Sequence, residues 1–273
     1  MFNLNCAPQL MGILNVTPDS FSDGGRYNTL DAALRQVELM LREGVDIVDV
    51  GGESTRPGSD AVSAEEQIQR VVPVVKAIHA GFPALPISID TTLSKVAAAA
   101  LQAGAVIIND ISAGLDDEDM FAIAAANTCP IILMHKQGAP KTMQDAPYYS
   151  DVVFDVKTHL QQRIDAALTA GIKADLIAID PGIGFGKRKQ DNLALLASLN
   201  QFVGLGYPVL LGTSRKRFMG SICNVSEPDE LVTATAVTTA LGVMAGVTMF
   251  RVHDIKANRQ AADIAWAIKQ AWE

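Results

Sequence analysis

Leu10 to Gly25 reads LMGILNVTPDSFSDGG: an almost unbroken apolar run that ends at Asn15 in a polar loop rich in Thr, Pro, Asp, Ser and Gly. An apolar run of this length, bounded by turn residues, is the pattern of a strand buried on both faces. The pattern then recurs. VDIVDVGG, LPISIDT, AVIINDIS, CPIILMH, LIAIDPG, PVLLGTS and VTMFRVHD follow in order, each passing from β-branched or apolar residues to a polar group. Between them lie segments of helical period such as TLDAALRQVELMLREG, SAEEQIQRVVPVVKAIHAGF and QDNLALLASLNQFVGLG, several stopped by Gly, and ANRQAADIAWAIKQAWE comes last. Eight strand-helix pairs without a linker or low-complexity tract predict an α/β protein, a single-domain (β/α)8 TIM barrel over residues 1–273.

Composition sets the outer bounds. The chain has 273 residues, 49% hydrophobic and 19% charged, enough to bury a real core. Net charge is −8 with no run of Lys or Arg, which speaks against a nucleic-acid partner. No signal-peptide pattern and no stretch near the roughly 18 apolar residues of a membrane span can be found, so no membrane partner is expected. Three widely spaced cysteines, Cys6, Cys129 and Cys223, form neither a disulfide framework nor a zinc motif. A reducing cytoplasm fits.

In a barrel of this kind, residues at the C-terminal ends of the strands project into the catalytic face. Here they are Asn15, Asp49, Asp90, Asn109, His135, Asp180, Ser214 with Lys216, and Arg251 with His253. One Asp or Asn after a strand is commonly a helix cap or turn residue. Eight equivalent strand ends supplying one each point instead to a common pocket, whose ligand must bring donors or cations to the carboxylates. Two long loops after the first two strands, Thr17 to Asn28 and Gly51 to Ser63, carry Gly24, Gly25, Gly51, Gly52 and Gly58 and suit a lid. DPGIGFGKRK has the look of a phosphate loop but matches neither G-x-x-x-x-G-K-[ST] nor G-x-G-x-x-G. The cations Arg215, Lys216 and Arg251 gather after the last two strands, where such barrels commonly hold phosphate. Surface ion pairing accounts well for Arg217 and Arg215, and poorly for Arg251, which lies in an apolar strand.

MGILNVTPDSFSDGG, VDVGGESTRPG, SIDT, IINDIS, MHKQGAPKTMQ, IDPGIGFGK, GTSRK and RVHD together resemble the dihydropteroate synthase family of pterin-binding enzymes, in order and over nearly the whole chain. The resemblance implies a (β/α)8 barrel and a transferase that condenses 6-hydroxymethyl-7,8-dihydropterin diphosphate with p-aminobenzoate, giving 7,8-dihydropteroate and diphosphate with Mg²⁺. By similarity Asp180 accepts the pterin's amino and ring N–H groups, Asn109 and Asp90 complete the pterin slot, and Lys216 reaches ring acceptors. Asn15 resembles the Mg²⁺ ligand. Arg251 and His253, with Thr55, resemble the diphosphate holders, and Ser214, Lys216, Thr55, Arg56 and Pro57, with Phe185 nearby, the p-aminobenzoate site. Asp49 is placed near the reacting carbon, either to stabilise the cation or to order the first loop. The resemblance also implies sulfonamide competition with p-aminobenzoate and a homodimer, through late apolar helix faces such as ATAVTTALGVMAG. The alternatives are a corrinoid-type methyltransferase, which has no need of SRK or RVH, and a pterin-binding paralogue without catalysis.

Overall fold

The computed structural model describes residues 7–17, 26–53, 62–138, 142–143 and 146–272. Eight parallel strands make one sheet: β1 (Gln9–Asn15), β2 (Ile47–Gly51), β3 (Ile87–Asp90), β4 (Ile107–Asp110), β5 (Ile131–Met134), β6 (Ile177–Asp180), β7 (Leu210–Leu211) and β8 (Met249–Val252). Their order is β6-β5-β4-β3-β2-β1-β8-β7. A lone bridge, Ile179 to Val209, joins the two ends of that list and closes the cylinder. The helices α1 (Arg26–Arg42), α2 (Ala64–Gly81), α3 (Ser94–Ala103), α4 (Met120–Ala126), α5 (Val152–Thr169), α6 (Lys189–Ala197), α7 (Leu199–Val203), α8 (Arg217–Cys223), α9 (Val232–Ala245) and α10 (Ile255–Gln270) lie between and around the strands. The expected barrel is present. Two details differ from the sequence reading: QDNLALLASLNQFVGLG is broken at Ser198 into α6 and α7, and α8 is a short extra helix after β7.

Local signals start the helices. The Ser63 hydroxyl accepts from Glu66 N at 3.2 Å ahead of α2, and the Asp151 carboxylate accepts from Val153 N and Phe154 N ahead of α5, each satisfying orphan donors of a first turn. Packing then follows the two-residue period of the strands. Val48, Val50, Ile108, Ile177, Ile179, Phe250 and Val252 face outward and join the helices in the main core. Met11, Ile47, Ile107, Ile132, Ala178, Leu210 and Met249 face inward and fill the barrel with a second, smaller apolar cluster. Gly12 permits close packing: a Cβ there would stand 2.8 Å from Met40 Sδ.

Candidate active site

One pleat above the inner cluster the inward residue changes character. Ile47 gives way to Asp49, Ile107 to Asn109, Ala178 to Asp180 and Met249 to Arg251. Seven of the strand-end residues expected from sequence, Asn15, Asn109, Asp180, Ser214, Lys216, Arg251 and His253, line one cavity of about 940 Å³, joined by Phe185 and Lys187. Asp49 and Asp90 back onto it through Arg251.

Arg251 organises the centre. Its Nε donates to Asp49 Oδ2 at 2.6 Å and its Nη2 to Asp90 Oδ2 at 2.6 Å, so two strand-end carboxylates share one guanidinium. Asn109 Nδ2 donates to the same Asp49 oxygen at 3.1 Å. Asp49 is fully buried, and its Oδ1 has no hydrogen-bond partner among the described residues. Burial works against the charge of Arg251, but Asp49 and Asp90 more than offset it and raise its pKa. Burial pushes Asp90 up to about 7; Arg251 opposes this and Asp49 adds to it. The physical content is that two buried carboxylates tolerate one another only through this arginine.

Asp180 stands apart from that triad. Its Oδ1 accepts Gly182 N at 2.6 Å, and its Oδ2 reaches toward Gly212, 3.8 Å from where a Cβ on that residue would stand. Burial pushes its pKa up to about 6, while the Gly182 N–H, Lys216, Lys187 and Arg251 hold it down. A carboxylate set in a cavity floor with acceptor capacity to spare suits a ligand that presents paired N–H donors.

The cations lie to one side. Lys216 places Nζ 4.1 Å from the centre of the Phe185 ring, and burial together with Arg251 pushes its pKa down to about 8. Ser214 Oγ lies 2.9 Å from His253 Nδ1 and accepts His253 N at 3.1 Å, which fixes these two residues as a unit. Arg215 turns outward to Asp254 and Asp229, the surface pairing expected of it. Asn15 holds its side-chain oxygen over Gly51, 3.4 Å from where a Cβ on that residue would stand. Thr55, Arg56 and Pro57, and most of the first long loop, lie outside the described residues.

Two buried residues were left without a role by the sequence. Asp110 accepts from Ser112 N and Oγ and from Gly114 N, which makes it the cap of the turn after β4. Lys187 lies beneath the turn after β6 and contacts His135. The only sequence cue to Lys187 was a cation ending a glycine-rich turn, a pattern that resembled a phosphate loop without matching one.

A family model described as pterin binding enzyme matches residues 11–253, which contain every site residue described above. This chain belongs to the pterin binding enzyme family. A dihydropteroate synthase of Streptococcus pyogenes serotype M6 is 51% identical over 251 residues, covering 92% of this chain and 91% of that one. Among solved structures, the Yersinia pestis dihydropteroate synthase with a sulfonamide drug complex has a TM-score of 0.90 at 43% identity, covering 97% of this chain and 95% of that one. The Xanthomonas albilineans dihydropteroate synthase with 4-aminobenzoic acid has a TM-score of 0.91 at 43% identity, covering 97% and 94%. The activity of this family member is dihydropteroate synthesis, a group transfer in folate biosynthesis that acts on small-molecule substrates.

Proposed function

We propose that the barrel mouth divides this reaction among named residues, with Asp180 as the pterin anchor. The observation that carries the reading is the placement of Asp180 in the cavity floor, one oxygen on Gly182 N, with Lys216 and Arg251 on the same cavity wall. Asp180 accepts the 2-amino and ring N–H donors of the dihydropterin with two parallel bonds. Asn109 and Asp90 flank the ring, and Lys216 donates to its acceptors. Arg251 and His253 hold the diphosphate. The bond from the pterin methylene to the diphosphate oxygen breaks with its electron pair leaving on diphosphate; the p-aminobenzoate nitrogen then forms the new C–N bond, and the resulting ammonium loses a proton. No nucleophilic side chain is needed, and the protein acts by positioning and by charge. Asp49 works through Arg251, whose Nε it holds. Thr55, Arg56 and Pro57 stay assigned to the diphosphate and p-aminobenzoate sides by resemblance, and Ser214 and Phe185 complete the arylamine side.

Mg²⁺ fits Asn15. No group of three or more His, Cys, Asp or Glu that could hold a metal exists among the described residues. A single amide oxygen at the mouth of β1 matches a hard ion that takes few protein ligands and completes its shell with water and phosphate oxygens. Bound there, Mg²⁺ would supply charge neutralisation to the leaving diphosphate. We assign p-aminobenzoate and dihydropterin diphosphate as the substrates and a second copy of the chain as the partner. Val237 and Leu241 on α9, Ile264 and Ile268 on α10, and Trp272 beyond it are exposed apolar residues, on helices that pack together. Among the described residues no helix is long and apolar enough to cross a membrane. Cys129 and Cys223 are free thiols, which agrees with a cytoplasmic setting.

Diphosphate release, followed with and without p-aminobenzoate, tests the reading. Release coupled one-to-one to dihydropteroate formation is expected. A methyltransferase or a non-catalytic binder would release none in either case and would overturn it.

A further inference from the structure

The turn from Asp180 to Lys187 is fastened from below by one ammonium group. Lys187 is 2% exposed. Its Nζ lies 2.9 Å from His135 Nδ1 and donates to Phe185 O at 3.1 Å and to His135 O at 3.4 Å. Two carbonyl oxygens and an imidazole nitrogen are all acceptors, and an ammonium has three N–H bonds to offer. A neutral amine would turn its lone pair onto one of them. The pairing also selects the tautomer of His135, with the ring proton on Nε2. Burial and the charge of Lys187 push the His135 pKa down to about 2, so the ring stays neutral. His159 meets that ring edge-on with centroids 4.7 Å apart, and burial lowers its pKa as well. Burial pushes Lys187 itself down to about 7; Asp180 opposes this, Lys216 adds to it and Asp191 opposes it.

The turn lies flat on the segment that follows β5. A Cβ on Gly182 would fall 1.8 Å from His135 O, and one on Gly186 would fall 2.2 Å from Gln137 O, both at positive φ. Tyr149 Oη donates to Gly186 O at 2.8 Å and Gly184 N to Asn192 Oδ1 at 2.7 Å, which hold the outer edge. Lys187 reaches the Phe185 carbonyl from the inside. The residue so fastened carries the ring against which Lys216 rests.

We propose that Lys187 is a positioning residue for the arylamine side of the site, fixing through Phe185 O and His135 the height of the Phe185 ring against Lys216. This rests on the substrate assignment made above. A charged group 52 residues from its imidazole partner in sequence thereby ties β5 to the β6 turn at the point where p-aminobenzoate enters.

The test uses Lys187→Met, His135→Leu and His135→Asn in the full chain at pH 6.5, above the Asp180 pKa of about 6 and below the Lys187 pKa of about 7. Asn can present an oxygen where His135 presents Nδ1, so it restores the acceptor that Leu removes. Lys187→Met and His135→Leu should raise the p-aminobenzoate KM roughly tenfold or more, as displaced positioning groups do, with pterin affinity within about threefold of the parent. His135→Asn should recover most of the loss. If Lys187→Met does not fold, the His135 pair decides by the same criterion. The proposal is overturned by a folded Lys187→Met with the parent KM, by pterin affinity falling as far as p-aminobenzoate affinity, or by equal KM values in His135→Leu and His135→Asn. A parent enzyme that releases no diphosphate would instead overturn the substrate assignment.

Discussion

The lower interior of the barrel and its mouth are built on the same strands, 2 residues apart, and they do opposite things. Below, Met11, Ile47, Ile107, Ile132, Ala178, Leu210 and Met249 fill the cylinder with an apolar cluster. Above, Asp49, Asn109 and Asp180, all buried, and the half-buried Arg251 occupy the equivalent inward positions. The lower cluster gains from every methylene it removes from water. The mouth gains nothing comparable, since desolvating two carboxylates and a guanidinium roughly cancels their attraction. Stability is therefore assigned to one layer and chemistry to the next, and a single pleat separates them.

That division can be broken most sharply at Arg251. Arg251→Met leaves Asp49 and Asp90 buried together without their shared cation, a loss on the scale of 3–5 kcal/mol for removing one partner of a buried pair. We expect kcat/KM to fall by about 10² to 10⁴ in steady-state assays, with Asp90 becoming protonated at neutral pH. A fall below about tenfold would mean that the mouth does not depend on this triad.

Asp180→Asn ranks next. It turns a two-oxygen acceptor into a group with one acceptor and a donor facing N–H groups, at a cost of roughly 2–5 kcal/mol in pterin affinity. Calorimetry should show p-aminobenzoate binding little affected by comparison. Equal losses for both ligands would remove the distinction between a pterin floor and an arylamine side.

The pH dependence of pterin binding is a smaller effect with a definite sign. The Asp180 pKa is pushed up to about 6, and the ionised form is the acceptor, so affinity is present above that value and lost as pH falls through it. Titration at pH 5 should give a pterin dissociation constant about tenfold weaker than at pH 7.5, as one pKa unit dictates. Affinity unchanged across this range would mean that Asp180 does not bind as a carboxylate.

Much of this contrast can be read in the sequence, because it is carried by residue type at a fixed period. Asn15, Asp49, Asp90, Asn109 and Asp180 stand out as polar groups ending apolar runs, and a barrel gathers such ends at one face. What they do to one another is not local. Arg251 meets Asp49 across 202 residues and Asp90 across 161, so the triad exists only once the cylinder closes. Lys187 reads as part of a failed phosphate motif because its acceptors come from His135 and from its own turn. The break at Ser198 is equally hidden, since QDNLALLASLNQFVGLG keeps a helical pattern through it while the backbone takes φ −116 and ψ 21 there.

β4 offers the most direct measurement, because Ile107 belongs to the lower cluster and Asn109 to the mouth on one strand. Ile107→Ala and Asn109→Ala should be compared for unfolding free energy and for kcat/KM in the same preparation. Ile107→Ala is expected to lose about 2–5 kcal/mol of stability, the range for emptying a buried aliphatic site, while the folded enzyme keeps kcat/KM within about threefold of the parent. Asn109→Ala is expected to lose about 1 kcal/mol of stability or less, since Asp49 Oδ2 keeps its bond to Arg251, and to lower kcat/KM at least about tenfold. The reverse pattern, with activity lost at Ile107 and stability lost at Asn109, would contradict the separation of the two layers.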